Sequence, residues 1–179
     1  EFPKIAVVRV EKVFPRTLSV YVTQRRLWGI MCGALDRVAT SAPSETGVSG
    51  DAAPQCVALD ATGFAYESAP RPQGSLILIV ETDRPALAVG ERQVELALME
   101  RLGTLRDGIA ESAGSPVARF ELRDRAPREI RARTADGFAI YLRRDDDFAH
   151  AFRVLKKVLD EEIGDKRANL DYIDLRFGN

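Results

Sequence analysis

His150, Cys32 and Cys56 are the only imidazole and the only thiols in this 179-residue chain. A zinc site draws on about four Cys or His ligands, or three and a water, so any metal here would have to be held by carboxylates. His150 falls inside an amphipathic helical stretch, where it reads as a surface or interface side chain rather than a catalytic base. No serine occupies a Gly-x-Ser-x-Gly elbow, and neither a Rossmann-type glycine fingerprint nor a Walker-type phosphate loop is present. Carboxylates are plentiful, yet nothing in their spacing pairs two of them across a cleft. Residue chemistry therefore points away from catalysis, and no cofactor is expected.

The cysteines speak to compartment. Cys32 lies on one strand-like run and Cys56 opens the next. Residues facing each other across a hairpin come within disulfide reach, and a bond across this 24-residue separation would stabilise the fold by roughly 3 kcal/mol on chain-entropy grounds. The alternative is a pair of reduced, half-buried thiols. If the bridge forms, this region lies outside the reducing cytoplasm.

The elements that position these residues must come from an ordinary globular core. Hydrophobic residues make up 45% of the chain, enough for a packed interior. Lys and Arg total 26 against 27 Asp and Glu, a net charge of −1 that offers no footprint for nucleic acid. No apolar run reaches the roughly 20 residues needed to cross a bilayer, and the N-terminus lacks a signal-peptide pattern.

Period-two alternation predicts strands at Ile5 to Lys12 and Leu18 to Arg25, joined by a turn at Phe14-Pro15-Arg16-Thr17. Val8 and Val10 share one face, as do Leu18, Val20 and Val22, the pattern of half-buried strands. Trp28 to Leu35 reads as a strand, and Thr40 to Pro54, rich in Ser, Thr, Gly, Ala and Pro, as a mobile loop. Two short strands follow around the turn Asp60-Ala61-Thr62-Gly63, then a buried-type strand from Leu76 to Val80. A helix is expected over Gly90 to Arg106, with Gly103 weakening its last turn. Val117 to Arg123, Arg128 to Thr134 and Phe138 to Arg143 read as strands, the last two joined by the hairpin signal Asp136-Gly137. Asp145-Asp146-Asp147 starts a second helix with the stripe Phe148, Phe152, Leu155, Leu159, Ile163, closed by Gly164. Finally Leu170 to Phe177 alternates, with Ile173, Leu175 and Phe177 on one face and Tyr172, Asp174 and Arg176 on the other. Many short strands with two inserted helices give an α+β fold with a mostly antiparallel sheet.

Three landmarks, in order, resemble the extracytoplasmic part of the bacterial cell-division family FtsQ, called DivIB in Gram-positive bacteria. The first is Pro3-Lys4-Ile5 through Val8-Arg9-Val10 with Phe14-Pro15-Arg16-Thr17-Leu18-Ser19-Val20-Tyr21-Val22, similar to the last two strands of the POTRA module that follows the family's membrane anchor. The second is Leu59-Asp60-Ala61-Thr62-Gly63-Phe64, which resembles the family's Val-Asp-x-x-Gly-x-x-Phe hairpin. The third and most specific is Leu170-Asp171-Tyr172-Ile173-Asp174-Leu175-Arg176-Phe177, similar to the closing strand Tyr-Val/Ile-Asp-Leu-Arg. Where the family carries Glu-Arg-x-Pro-x-Ala, this chain has Gln24-Arg25-Arg26-Leu27-Trp28-Gly29, and the Cys-bearing insertion is not a general family feature.

The resemblance implies that residues 1–27 are the C-terminal hairpin of a truncated POTRA domain and residues 28–179 an FtsQ/DivIB-type β domain. It implies a single-pass membrane protein, anchored by a helix upstream of this chain, with this region in the periplasm or extracellular space. It implies a non-enzymatic divisome scaffold binding FtsB- and FtsL-like coiled-coil proteins, with no small-molecule substrate. The expected mechanism is β-augmentation at the last strand. Arg176 and Phe177 are the first candidates for contact, followed by Tyr172 and Asp174 on the outward face and Arg125 on an upstream strand. For Arg176 an intrachain salt bridge is the competing reading, and for Phe177 burial in the core. A POTRA-containing secretion or outer-membrane assembly factor, or a small secreted enzyme with a carboxylate cleft, remain as alternatives.

Overall fold

The computed structural model describes residues 2–33, 56–74, 76–124 and 126–177. The whole of the expected loop from Thr40 to Pro54, and the candidate Arg125, lie outside the described residues.

Two sheets form. The first is the hairpin of β1 (Ile5–Val13) and β2 (Thr17–Gln24), antiparallel with Val8 opposite Val22 and Val10 opposite Val20. Its register follows the period-two pattern, but its burial does not. Val8, Val10, Leu18, Val20 and Val22 share one face, and each is more than half exposed.

The second sheet holds β3 (Gly29–Cys32), β4 (Cys56–Leu59), β5 (Ala65–Ala69), β6 (Ile79–Thr82), β7 (Val117–Leu122), β8 (Glu129–Thr134), β9 (Ala139–Arg143) and β10 (Tyr172–Asp174). Their spatial order is β10-β9-β8-β7-β6-β3-β4-β5. The pairs β3/β4, β4/β5, β7/β8 and β8/β9 are antiparallel hairpin neighbours. The pairs β3/β6, β6/β7 and β9/β10 are parallel, so the α+β sheet is mixed as well as mostly antiparallel. Parallel neighbours need a crossover, and two of these crossovers are the helices: α1 (Leu96–Ala113) between β6 and β7, α2 (Phe148–Lys157) between β9 and β10.

Both helices cover one face of this sheet. Val80, Phe120, Ile130, Ile140 and Ile173 point from the strands into a core shared with Leu102, Leu105 and Ile109 of α1 and Leu155 of α2. Each fully buried Leu, Ile or Phe of this kind contributes about 1.5–3 kcal/mol. The opposite face divides in two. Around β3 and β4 it carries a small apolar cluster of Ile30, Cys32, Cys56 and Ile79. From β6 to β8 it carries an arginine–glutamate ladder: buried Glu81 pairs with Arg71 and Arg119, and buried Glu121 with Arg131. Cys32 and Cys56 are register partners and form a disulfide.

Several boundaries differ from expectation for physical reasons. Residues 91–94 are drawn onto the sheet margin by Ala65 N–H donating to Glu91 O and Gln93 N–H to Gly63 O, so α1 starts later than Gly90. It then runs through Gly103 and Gly108 to a left-handed cap at Gly114, φ 66°. Gly108 is where the helices meet: a Cβ there would lie 2.1 Å from the Phe152 ring of α2. The strand expected from Leu76 begins only at Ile79, and Leu76 is fully exposed. α2 begins as expected, with Asp147 accepting from the Ala149 and His150 amides. The helix widens over Val158–Ile163 and tightens over Gly164–Asn169 before β10. Among the described residues, no helix is long and apolar enough to cross a membrane.

Candidate partner-binding edge

β10 is short, and it is one of the sheet's two edges. Its inner side is fixed by Ala139 N–H donating to Asp171 O at 2.9 Å and Leu175 N–H donating to Tyr141 O at 3.0 Å. Peptide groups alternate sides along a strand, so 171, 173 and 175 face β9. The N–H and C=O groups of Tyr172 and Asp174 face outward along an open edge. Side chains alternate as well: Ile173 is buried in the core, Leu175 packs against it, and Tyr172 is 60% exposed on the other face.

The alternation stops at Leu175. Arg176 and Phe177 lie in a turn, so Phe177 does not join Ile173 and Leu175 on the inner face. It stands 83% exposed beside the open edge. Asp174 makes this turn. Its Oδ1 accepts from the Arg176 amide at 3.1 Å and from Arg176 Nε at 2.9 Å, and its Oδ2 accepts from Nη2 at 2.6 Å. Arg176 Nη1 donates to Glu129 Oε1 of β8 at 2.6 Å. The guanidinium also lies 5.1 Å from the Tyr141 ring centre and 5.4 Å from that of Phe177. Tyr141 in turn meets Tyr172 edge-on at 5.7 Å. The Arg176 hydrogen bonds outweigh burial and hold the Asp174 carboxyl below its ordinary pKa, while the Arg176 pKa is raised, chiefly by Asp174.

The structure thus gathers Tyr172, Asp174, Arg176 and Phe177 at one corner. The Cys32–Cys56 bridge lies well inside the sheet, on β3 and β4, and belongs to the frame rather than to this corner. Tyr141 and Glu129 are the residues that sequence reading missed. The Tyr141–Asp174 register exists only because α2 returns the chain parallel to β9, and no local pattern carries that information. Between β10 and α2 runs a groove of about 360 Å³, lined in part by His150, Ala151, Val154 and Leu175. His150 sits on its wall. Among the described residues, no three His, Cys, Asp or Glu side chains converge to hold a metal ion.

This corner offers unpaired main-chain donors and acceptors, two exposed aromatic rings and a clamped arginine. Such an arrangement can accept an extended segment. No curated protein matches the chain. The family model described as cell division protein FtsQ/DivIB, C-terminal, matches residues 55–176, a span that runs from β4 through the turn at Arg176 and takes in both helices and the open edge. A match over that much of the chain makes it a member of the FtsQ/DivIB family, whose role is in cell division.

Proposed function

We propose that this chain is a non-enzymatic scaffold of the divisome, and that it binds extracytoplasmic segments of FtsB- or FtsL-like partners by strand addition along β10. The observation that carries this reading is the open edge itself, with the Tyr172 and Asp174 peptide groups turned outward and Phe177 exposed beside them. Main-chain hydrogen bonds would supply affinity, and Tyr172 and Phe177 would supply side-chain anchors. We read the β1–β2 hairpin as the end of a POTRA-type module and the whole region as extracytoplasmic, carried by a membrane anchor. The disulfide supports that placement, because such bonds persist in oxidising compartments.

Calorimetric titration with the extracytoplasmic C-terminal segment of the same organism's FtsB-like protein tests the reading. Tyr172→Pro removes an outward N–H without removing a bond to β9, a position where edge strands tolerate proline. Wild-type binding that Tyr172→Pro weakens at least about tenfold supports strand addition, since one main-chain hydrogen bond and one aromatic anchor are lost together. Binding unchanged by Tyr172→Pro moves the interface elsewhere. No binding by the wild type removes the proposed partner.

A further inference from the structure

The carboxyl ends of the parallel strands β3, β6 and β7 open into a separate cleft of about 340 Å³, which shares no lining residue with the groove beside β10. Two arginines enter it. Arg84 is held there by donating from Nη1 to Gln93 O at 2.9 Å and from Nε to Asp124 Oδ2 at 3.3 Å. Arg144, just beyond β9, is different. Its Nε is buried and has no hydrogen-bond partner, and among the described residues its guanidinium makes no ion pair. A guanidinium stays protonated and brings five donors. Arg144 is half-buried, and a buried Nε–H without a partner, as also at Arg101 and Arg131, here adds to a guanidinium with no ion pair among the described residues, so it has donors to offer a partner in the cleft.

The surroundings say what that partner is. Burial and the neighbouring positive charge of Arg84 both disfavour the Arg144 cation, against the attraction of Asp124 and Glu95. α1 begins at the cleft wall, where Glu95 and Leu98 line it. No side chain caps its first amides, and its N-cap residue is Glu95, so the positive end of its dipole faces that carboxylate as well as the cleft. The lining sets two arginines against two carboxylates, and with Arg84 paired to Asp124 the Arg144 guanidinium is the cation left to meet one further negative charge. The exposed carboxylates of Asp124 and Glu95 at the rim disfavour a doubly charged anion, and a planar, singly charged oxyanion matches the guanidinium fork.

We propose that this cleft is a carboxylate-binding site, in which Arg144 and Arg84 share one carboxylate group supplied either by a small acid or by an acidic peptide side chain. It is a second point of attachment, independent of strand addition at β10.

The test is the nitrogen–proton correlation spectrum of the arginine Nε–H groups of the whole chain, with the Arg144 signal assigned by its loss in Arg144→Lys. Sodium acetate should shift that signal saturably, while sodium chloride at matched ionic strength should not. Arg84→Gln should weaken the acetate response about tenfold, the worth of one charge-assisted hydrogen bond, and Glu95→Gln should strengthen it. A blocked glutamate peptide, titrated in parallel, separates the two sources, because the tighter binder names the natural one. An absent or non-saturating response to both ligands overturns the proposal, and so does an equal response to inorganic phosphate or chloride. Because the wild-type titration decides these outcomes, a variant that fails to fold leaves the test intact.

Discussion

Arg25 Nη1 stands 2.5 Å from Asp60 Oδ2, and this contact fastens the β1–β2 hairpin to the eight-stranded sheet. The same guanidinium donates from Nε to Pro3 O at 2.9 Å and lies 4.0 Å from the centre of the Phe64 ring. Asp60 meanwhile closes the turn between β4 and β5: its Oδ1 accepts from Thr62 N–H at 2.8 Å, Thr62 Oγ1 at 2.7 Å and Phe64 N–H at 3.2 Å. One buried carboxylate thus shapes a turn and anchors a neighbouring sheet. The landmark Asp-x-x-Gly and the arginine after β2 are two halves of one joint.

Asp60→Asn should loosen that joint. Burial opposes ionisation of Asp60, but the bonds from Thr62, Arg25 and the two amides outweigh it and hold its pKa below the reference value of 3.8. The folded pKa is depressed, so the stabilisation is present above the unfolded pKa and is lost as pH falls through the folded one. Wild type should lose stability below about pH 4, and Asp60→Asn should flatten that limb of the curve. At neutral pH the substitution should cost about 1–3 kcal/mol, as for a charged hydrogen-bonded pair losing its charge. Faster amide exchange in β1 and β2 than in β7 and β8 would locate the effect at the joint. Thermal melts across pH, followed by hydrogen exchange, make the check.

Two glycine-to-alanine changes should have opposite signs. At Gly63, φ is +78° and an added Cβ would lie 2.1 Å from the Val94 carbonyl oxygen, so Gly63→Ala combines backbone strain with a backbone clash. It should destabilise by about 2 kcal/mol or more. At Gly103 nothing lies within 4 Å of the added Cβ, and the residue sits inside α1. Gly103→Ala should stabilise by up to about 1 kcal/mol through helix propensity. Denaturant midpoints of the two variants measure the contrast directly.

These two glycines also show what local sequence can and cannot carry. The turn at Gly63, the hairpin at Gly137 and the Asp147 cap of α2 were legible because each depends on residues within one turn of chain. The extension of α1 to Ala113 was not, since Gly103 and Gly108 argue for an ending by propensity alone. What carries the helix on is its packed stripe of Leu105, Ile109 and Ala113 and the seat of Phe152 on Gly108. The same division holds at the candidate site. Period-two alternation placed Ile173 inward and Tyr172 outward, but the turn that frees Phe177 depends on an Asp174–Arg176 clamp braced by Glu129, which lies 47 residues away in sequence. Arg84 reaches the cleft from the end of β6 and Arg144 from the end of β9, and nothing in their local sequence marks them.

Removing the disulfide should cost stability without altering the fold. Cys32 and Cys56 are 0% and 2% exposed and close a 24-residue separation between adjacent strands. The paired substitution Cys32→Ala with Cys56→Ala should destabilise by roughly 3 kcal/mol from loop-closure entropy. For a chain of this size that corresponds to a Tm lower by about 6–12 °C. An unchanged Tm would mean that the strand pairing, not the covalent link, holds this part of the sheet. Calorimetric melts of the two proteins under non-reducing conditions decide between them.

Glu129 separates two ways in which Arg176 can serve a partner. Its Oε1 takes one edge of the guanidinium while Asp174 takes the other, and Tyr141 lies beneath. If an acidic partner residue competes for that guanidinium, Glu129→Gln removes the competitor and should tighten binding. If instead the clamp serves to hold the turn that presents Phe177, the same change should leave partner affinity equal or weaker. With every arm of Arg176 already engaged and Phe177 83% exposed, the second outcome is expected. The stability cost of Glu129→Gln should stay within about 1 kcal/mol, because Glu129 is nearly half exposed and such pairs are weak. Arg176→Ala should then lower affinity more than Glu129→Gln does, since it releases the turn from Asp174 as well. Phe177→Ala should abolish most of what Arg176→Ala leaves. Calorimetric titration of the three variants with the same partner segment gives the ranking, and tighter binding by Glu129→Gln would reassign Arg176 from clamp to direct contact.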